Sequence, residues 1–249
     1  MARELFSATA ELSRVVGWSA FDIGQHAAAQ SHFVQALALA RAAGNIEVGS
    51  YVLTTMALQT FLRGYPQEAA DMAEGAYERG LGHAAPRVLA FAKLAQARAH
   101  ARAGEARAAG AALAQSERLL DSIDSGTPDP DWLGYFTHAR LGTDATEIHR
   151  DLGNAKAAFA WAKRADPMPA GRFTRATGIR FAVLATSHIQ AHDLEQGLAT
   201  ATQALHILRA VRSTRAHGYV RDITTALEPW KRESAVSDFV HQARALSAA

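Results

Sequence analysis

Small and apolar residues recur along this chain at the three- and four-residue spacing of helices that bury one face. In GWSAFDIGQHAAAQSHFVQAL, Gly17 to Leu37, small residues stand at Gly17, Ala20, Gly24, Ala29 and Ala36, with Phe33 between the last two. Ala, Leu, Arg, Glu and Gln fill most windows and β-branched runs are few, so the pattern predicts an all-α chain. Two stretches interrupt it. DSIDSGTPDPDWLGYF, Asp121 to Phe136, is rich in Pro, Asp and Gly and predicts a loop. DPMPAGR, Asp166 to Arg172, predicts a shorter one.

The opening pattern returns four times. GYPQEAADMAEGA repeats it as Gly64, Ala69, Ala73 and Ala76, with Ala57 before the turn; GEARAAGAALAQS as Gly104, Ala109, Leu113 and Ser116, with Ala97. GNAKAAFAWAKRA supplies Gly153, Ala158, Ala162 and Ala165, and HDLEQGLATATQA supplies His192, Gly197, Ala201 and Ala204, with Ala185. The turn positions 24, 64, 104, 153 and 192 fall 40, 40, 49 and 39 residues apart. These are the steps of a tetratricopeptide-like repeat, a unit of two antiparallel helices. Small residues let helices A and B approach, Gly24 makes the turn, and Ala36 seats the next unit. The expectation is a single domain, a tetratricopeptide-repeat-like α-solenoid of five helical pairs at about 8–43, 47–80, 86–120, 132–166 and 173–210. An amphipathic helical cap follows at 214–247.

Composition narrows the class. With 249 residues, 49% hydrophobic, the chain can bury a sizeable core or a continuous array. It has no cysteine, which removes disulfides, thiolate metal sites and cysteine nucleophiles and fits a reducing cytoplasm. The charged opening MARELFSATAELSRVVGW does not read as a signal peptide, and the apolar run Val48 to Leu62 is too short to span a bilayer. A cytoplasmic protein without a membrane partner is expected. Residues 1–162 carry a net charge of −3 and residues 163–249 a net of +5. RAVRSTR, Arg209 to Arg215, reads first as a solvated helix end and second as a nucleic-acid patch.

A resemblance refines this. ELSRVVGWSAFDIGQHAAAQSHFVQALALARAAGN resembles the start of the tetratricopeptide-like region of actinobacterial regulators that carry a Cro/C1-type helix-turn-helix. SYVLTTMALQTFLRGYPQEAADMAEGA, DWLGYFTHARLGTDATEIHRDLGNAKAAFAWAKRA and ALHILRAVRSTRAHGYVRDI are similar to later parts of that region, in the same order. The resemblance implies a regulatory sensor module, with a setting in secondary metabolism and development. Nothing in these residues matches the family's DNA-binding domain, so this chain is not expected to bind DNA directly. It is either an excised domain or a stand-alone relative.

In stacked pairs the A helices line a concave face. Helical counting places Arg14, Trp18, Phe21, Tyr51, Thr54, Leu58, Phe61, Phe91, Arg98 and Arg102 there, an aromatic wall beside two arginines one turn apart. Asp22, Leu62, Leu94, Glu147, Arg150, Asp151, Ile179, Thr186 and Gln190 fall on the same face. Aromatic area with a few placed charges suits a binding groove, and the arginines suit a carboxylate or phosphate. A small molecule or peptide in the groove, or a protein partner, is the expected ligand, and a homodimer is compatible with open repeat edges. Two other readings stay open at this point. One is a stand-alone natural-product enzyme that uses the groove as its substrate pocket, and the other is an assembly scaffold.

No cofactor and no catalytic centre are expected. His188 and His192 stand four apart with Glu195 beyond, but His192 sits at a turn and no glutamate follows His188, so a surface pair is expected over a metal site. His100 and His149 are expected as packed, neutral histidines. GWSAF is no nucleophile elbow, and GTPDPD is a turn.

Overall fold

A computed structural model describes residues 1–124, 126, 129–165 and 173–247, the last three of these without their side chains. The predicted break at Asp166 to Arg172 lies outside the described residues. Among the described residues there are α-helices and 3₁₀ turns and no strand. The helices are α1 (Ala2–Asp22), α2 (His26–Ala43), α3 (Ile46–Leu62), α4 (Pro66–Gly80), α5 (Pro86–Arg102) and α6 (Ala106–Asp121). After them come α7 (His138–Asp151), α8 (Ala155–Ala162), α9 (Thr174–Gln190), α10 (Leu194–Leu208), α11 (Thr214–Ala226) and α12 (Ser234–Ser247). Short 3₁₀ turns occupy Asp131–Leu133 and Glu228–Trp230. No described helix is long and apolar enough to cross a membrane.

All five turn positions read from the repeat have left-handed backbone, with φ of 82° at Gly24, 89° at Gly64, 79° at Gly104, 68° at Gly153 and 60° at His192. Glycine enters that region without a Cβ penalty, so the first four turns are locally encoded; His192 adopts it against the ordinary preference. Helix starts have local causes too. Asn45 Oδ1 accepts from the Val48 N–H at 3.0 Å, Asp193 Oδ1 from Gln196 and Ser213 Oγ from Ala216. Pro66 and Pro86 stand in first turns, where no N–H is needed.

The chain divides into two compact units, Met1–Asp144 and Ala145–Ala249. In the first, α1 pairs with α2, α3 with α4 and α5 with α6. Each pair stacks on the next: α3 rests on α1 and α2, and α5 on α3 and α4. Close approach rests on the small residues. Gly17 lies against Phe33 and the Ala29 carbonyl, while Ala29, Phe33, Ala36, Ala69, Ala73, Ala76, Ala97 and Ala109 are fully buried. Buried hydroxyls join partners within a pair: Ser50 donates to the Ala76 carbonyl and Ser116 to the Ala90 carbonyl, both at 2.7 Å. Two boundaries differ from the pattern. α1 begins at Ala2 rather than near residue 8, because its first turns face outward and leave no buried period to read. The helix expected from 132 begins at His138, because 131–137 fold as a 3₁₀ turn and a short connection.

The second unit packs α9 against α10, closed by α11 and α12 over Ile189, Leu205, Leu208, Ile223, Leu227 and Phe239. Gly178 and Gly197 repeat the close-approach device, facing Leu208 and Ile189.

Candidate functional site

Seven of the ten residues expected to line the groove are buried: Phe21, Tyr51, Thr54, Leu58, Phe61, Phe91 and Arg98. Arg14 and Trp18 are half-buried and Arg102 is exposed. Phe21 belongs to the α1–α2 core beside Trp18 and His26, and Thr54 donates its hydroxyl to the Ser50 carbonyl of its own helix. Neither faces an open groove, because the packing of α1 on α2 and the internal hydrogen bond claim them first.

The remainder gathers around Tyr51. The Arg14 guanidinium sits 4.3 Å from the Tyr51 ring centroid. Phe91 of α5 lies 5.7 Å from Tyr51. The opposite side of this cluster is supplied by the segment between α6 and α7. Trp132 stacks on Tyr51 with centroids 4.6 Å apart and planes 30° apart, and the Tyr51 and Tyr135 hydroxyls are 3.2 Å apart. Phe136 and Tyr135 present edges to Phe91 at 5.2 and 6.4 Å. Arg87 anchors the segment through Asp129 at 2.6 Å and a hydrogen bond to the Phe136 carbonyl. Leu133 and Phe136 are fully buried, whereas Trp132 is half-buried and Tyr135 is 52% exposed. The face expected to be open between the second and third pairs is therefore covered by the chain's own Trp132–Phe136.

Electrostatics follow from this burial. Desolvation, reinforced by Tyr135, pushes the Tyr51 phenol well above its ordinary value, so it remains a neutral hydrogen-bonding group. Glu11, one turn before Arg14, has its carboxyl pushed up by burial and partly drawn back by Arg14, whose Nε is 3.4 Å away; the other carboxylate oxygen, Oε1, is buried without a hydrogen-bond partner.

The expected pair of anion-seeking arginines is reassigned. Arg98 lies 3.3 Å from Asp144, which is also gripped by Arg140 at 2.6 Å. Asp144 holds the Arg140 guanidinium above its ordinary value. Arg98 and Arg102 both lie over the Phe61 ring, at 4.9 and 5.3 Å. Arg98 thus already has an internal carboxylate, and only Arg102 stands at the surface.

In the second unit, Glu147, Arg150 and Asp151 were read as groove residues but form an internal network. Arg150 reaches Asp222 at 3.2 Å and Glu147 at 3.5 Å, with Asp151 2.8 Å from Nε but off the N–H direction. Tyr219 donates to Glu147 at 2.9 Å, and Gln190 donates to the Arg150 carbonyl. Burial pulls the Arg150 guanidinium down, and Asp151, Glu147 and Asp222 outweigh it, leaving the group above its ordinary value. Ile179 packs on the α9–α12 core, and Thr186 donates to the Ala182 carbonyl.

The histidines take separate partners. His188 lies 3.3 Å from Asp193 and against Phe159, while His192 meets the Trp230 edge. His100 is mostly buried, and its Nδ1 lies 2.6 Å from the Glu105 carboxylate near the turn. His149 packs, stacked on Trp161 with a buried Nδ1, and desolvation pulls its pKa below the usual histidine range. No cluster of three metal-ligating side chains occurs among the described residues.

Glu11, Trp132, Tyr135 and Asp144 are the residues sequence reasoning missed. Glu11 was legible as the i−3 neighbour of Arg14. Trp132 and Tyr135 were legible only as aromatics placed oddly inside a Pro/Asp/Gly-rich break. Asp144 carried no signal, because its partner Arg98 lies 46 residues away. No known family's model matches the chain, and a search of curated proteins finds no match.

Proposed function

We propose that this chain is the binding module of a bacterial transcriptional regulator, a tetratricopeptide-like stack of helix pairs whose A-helix face takes an extended, aromatic-bearing peptide. One observation carries the reading. Asp129–Phe136 lies on α3 and α5 as such a peptide would, with an arginine–carboxylate anchor, a Trp stacked on Tyr51 and a Tyr hydroxyl at the Tyr51 hydroxyl. Stacked aromatics of this kind contribute about 0.5–1.5 kcal/mol each beyond the area they bury. The resident segment is held unequally: Leu133 and Phe136 are sealed in, while Tyr135 is half in water. A competing peptide would displace the outer rings first. The regulatory role rests on the ordered resemblance from Glu11 to Ile223, and the mechanism is a shift between resident-occupied and peptide-occupied populations.

A peptide of residues 129–137, labelled with a fluorophore, tests this directly. The Trp132→Ala/Tyr135→Ala chain should raise its fluorescence anisotropy saturably, and the wild type should bind it at least about tenfold more weakly because its face is already covered. Equal absence of binding to a variant that keeps its far-UV circular dichroism would sink the proposal.

A further inference from the structure

The outer face of α1 carries a second surface, independent of the peptide face. The α1 residues that pack inward are Ala10, Ser13, Gly17, Ala20, Phe21 and Asp22. Opposite them, within about 60° of Leu12 at 100° per residue, stand Leu5, Ala8, the half-buried Thr9, Val15, Val16, Ser19 and, just past the helix end, Ile23. Leu5 and Leu12 are each 66% exposed, Ile23 55%, Val15 47% and Val16 46%. In the first unit, α3 has α1 and α2 packed against it, whereas α1 keeps this flank in water. Charge is withheld from the area as well. From Val15 to Ala40 the sole Asp, Glu, Lys or Arg is Asp22, which is buried. An apolar stripe with charge excluded has the composition of an interface core rather than a solvated helix.

We infer that this face pairs with the same face of a second copy of the chain, α1 running antiparallel to α1 about a two-fold axis. The stripe complements itself in that arrangement. A register centred on position 14, the middle of the Leu5–Ile23 stripe, sets Leu5 against Ile23 and Leu12 against Val16 of the second copy, twice over by symmetry. The charged end of each helix, Arg3 and Glu4, then lies over the uncharged Gly24–Gln25 of the other, so no like charges meet. At these exposures the five large apolar residues offer roughly 500 Å² per copy, hence about 1,000 Å² when the pair covers them fully, which reaches the lower limit of a specific interface. Leu12 and Val16 lie at the centre of this contact.

Sedimentation equilibrium of the whole chain up to about 100 µM tests it, with Leu12→Glu and Val16→Lys as variants. Wild type should show a reversible dimer. Each variant, with its circular dichroism intact, should dimerise more than about tenfold more weakly. Mixing the two variants should restore dimer mass, because the register puts Glu at 12 opposite Lys at 16. A wild type that stays monomeric would overturn a second copy as the occupant and leave the face to a different polypeptide. A dimer that survives both substitutions would overturn α1 as the contact.

Discussion

Adding one methyl at Gly17 tests the close approach on which the helix pairs rest. A Cβ built there meets Phe33 Cδ1 and Cε1 at 2.9 Å and the Ala29 carbonyl oxygen at 3.2 Å, inside the roughly 3.5–4.0 Å of a relaxed contact. Neither neighbour yields readily. Phe33 is fully buried, and the carbonyl belongs to the α2 backbone. Overpacking of this kind costs about 1–3 kcal/mol. Against it stands the intrinsic gain of Ala over Gly in a helix, about 1 kcal/mol. Gly110, inside α6, and Gly75, inside α4, supply the same chemical change with no neighbour within 4 Å. Gly110→Ala and Gly75→Ala should therefore stabilise by about 0.5–1 kcal/mol. The difference between Gly17→Ala and Gly110→Ala isolates the contact, and it should be about 1–3 kcal/mol, or several degrees in Tm at about 2–4 °C per kcal/mol. Urea titrations followed by circular dichroism measure it. If the two variants differ by less than about 0.5 kcal/mol, Gly17 is not a close-approach residue and the packing argument fails.

Arg150→Ala should cost the second unit about 3–5 kcal/mol in urea denaturation, because it removes the guanidinium that lies against the buried Glu147 and Asp151 carboxylates; a loss below about 1 kcal/mol would contradict the network. His149 sets a pH dependence. Desolvation lowers its folded pKa, so the unfolded chain binds the proton more readily. Its contribution is complete above the unfolded value of about 6.5 and is lost as pH falls from there towards the lower folded value. His149→Phe should flatten that acid limb in a Tm-against-pH series, and an unchanged slope would refute the assignment.

Several elements were legible because their causes are local. A glycine or, once, a histidine in left-handed backbone follows α1, α3, α5, α7 and α9, and the count from turn to turn along the sequence gives all five positions. The buried stripe was legible for the same reason, since Gly17, Ala29, Phe33 and Ala36 are related by helical period alone. The cluster around Tyr51 was legible only in part. Helical counting brought Arg14, Tyr51 and Phe91 together correctly, yet it gave no means of knowing that Trp132 and Tyr135 would cover them. Helical periodicity says which face a residue occupies within its own helix and is silent about a connection that folds back.

The sequence by itself determined the helices, their turns and the small residues at each crossing, because those depend on neighbours within a few positions and on the presence or absence of a Cβ. Only the tertiary structure decided which side chains are satisfied and which remain available. Tyr51 meets Tyr135 across 84 residues, and Arg150 meets Asp222 across 72. Such partners are chosen by the way helix pairs stack and by the low dielectric of the interior, which makes an unpaired charge costly and draws each buried ionic group to whatever counter-charge the fold places beside it. The same stacking covers the flank of α3 and leaves that of α1 in water, so one repeated sequence pattern yields a core face in one pair and a solvent-exposed face in another.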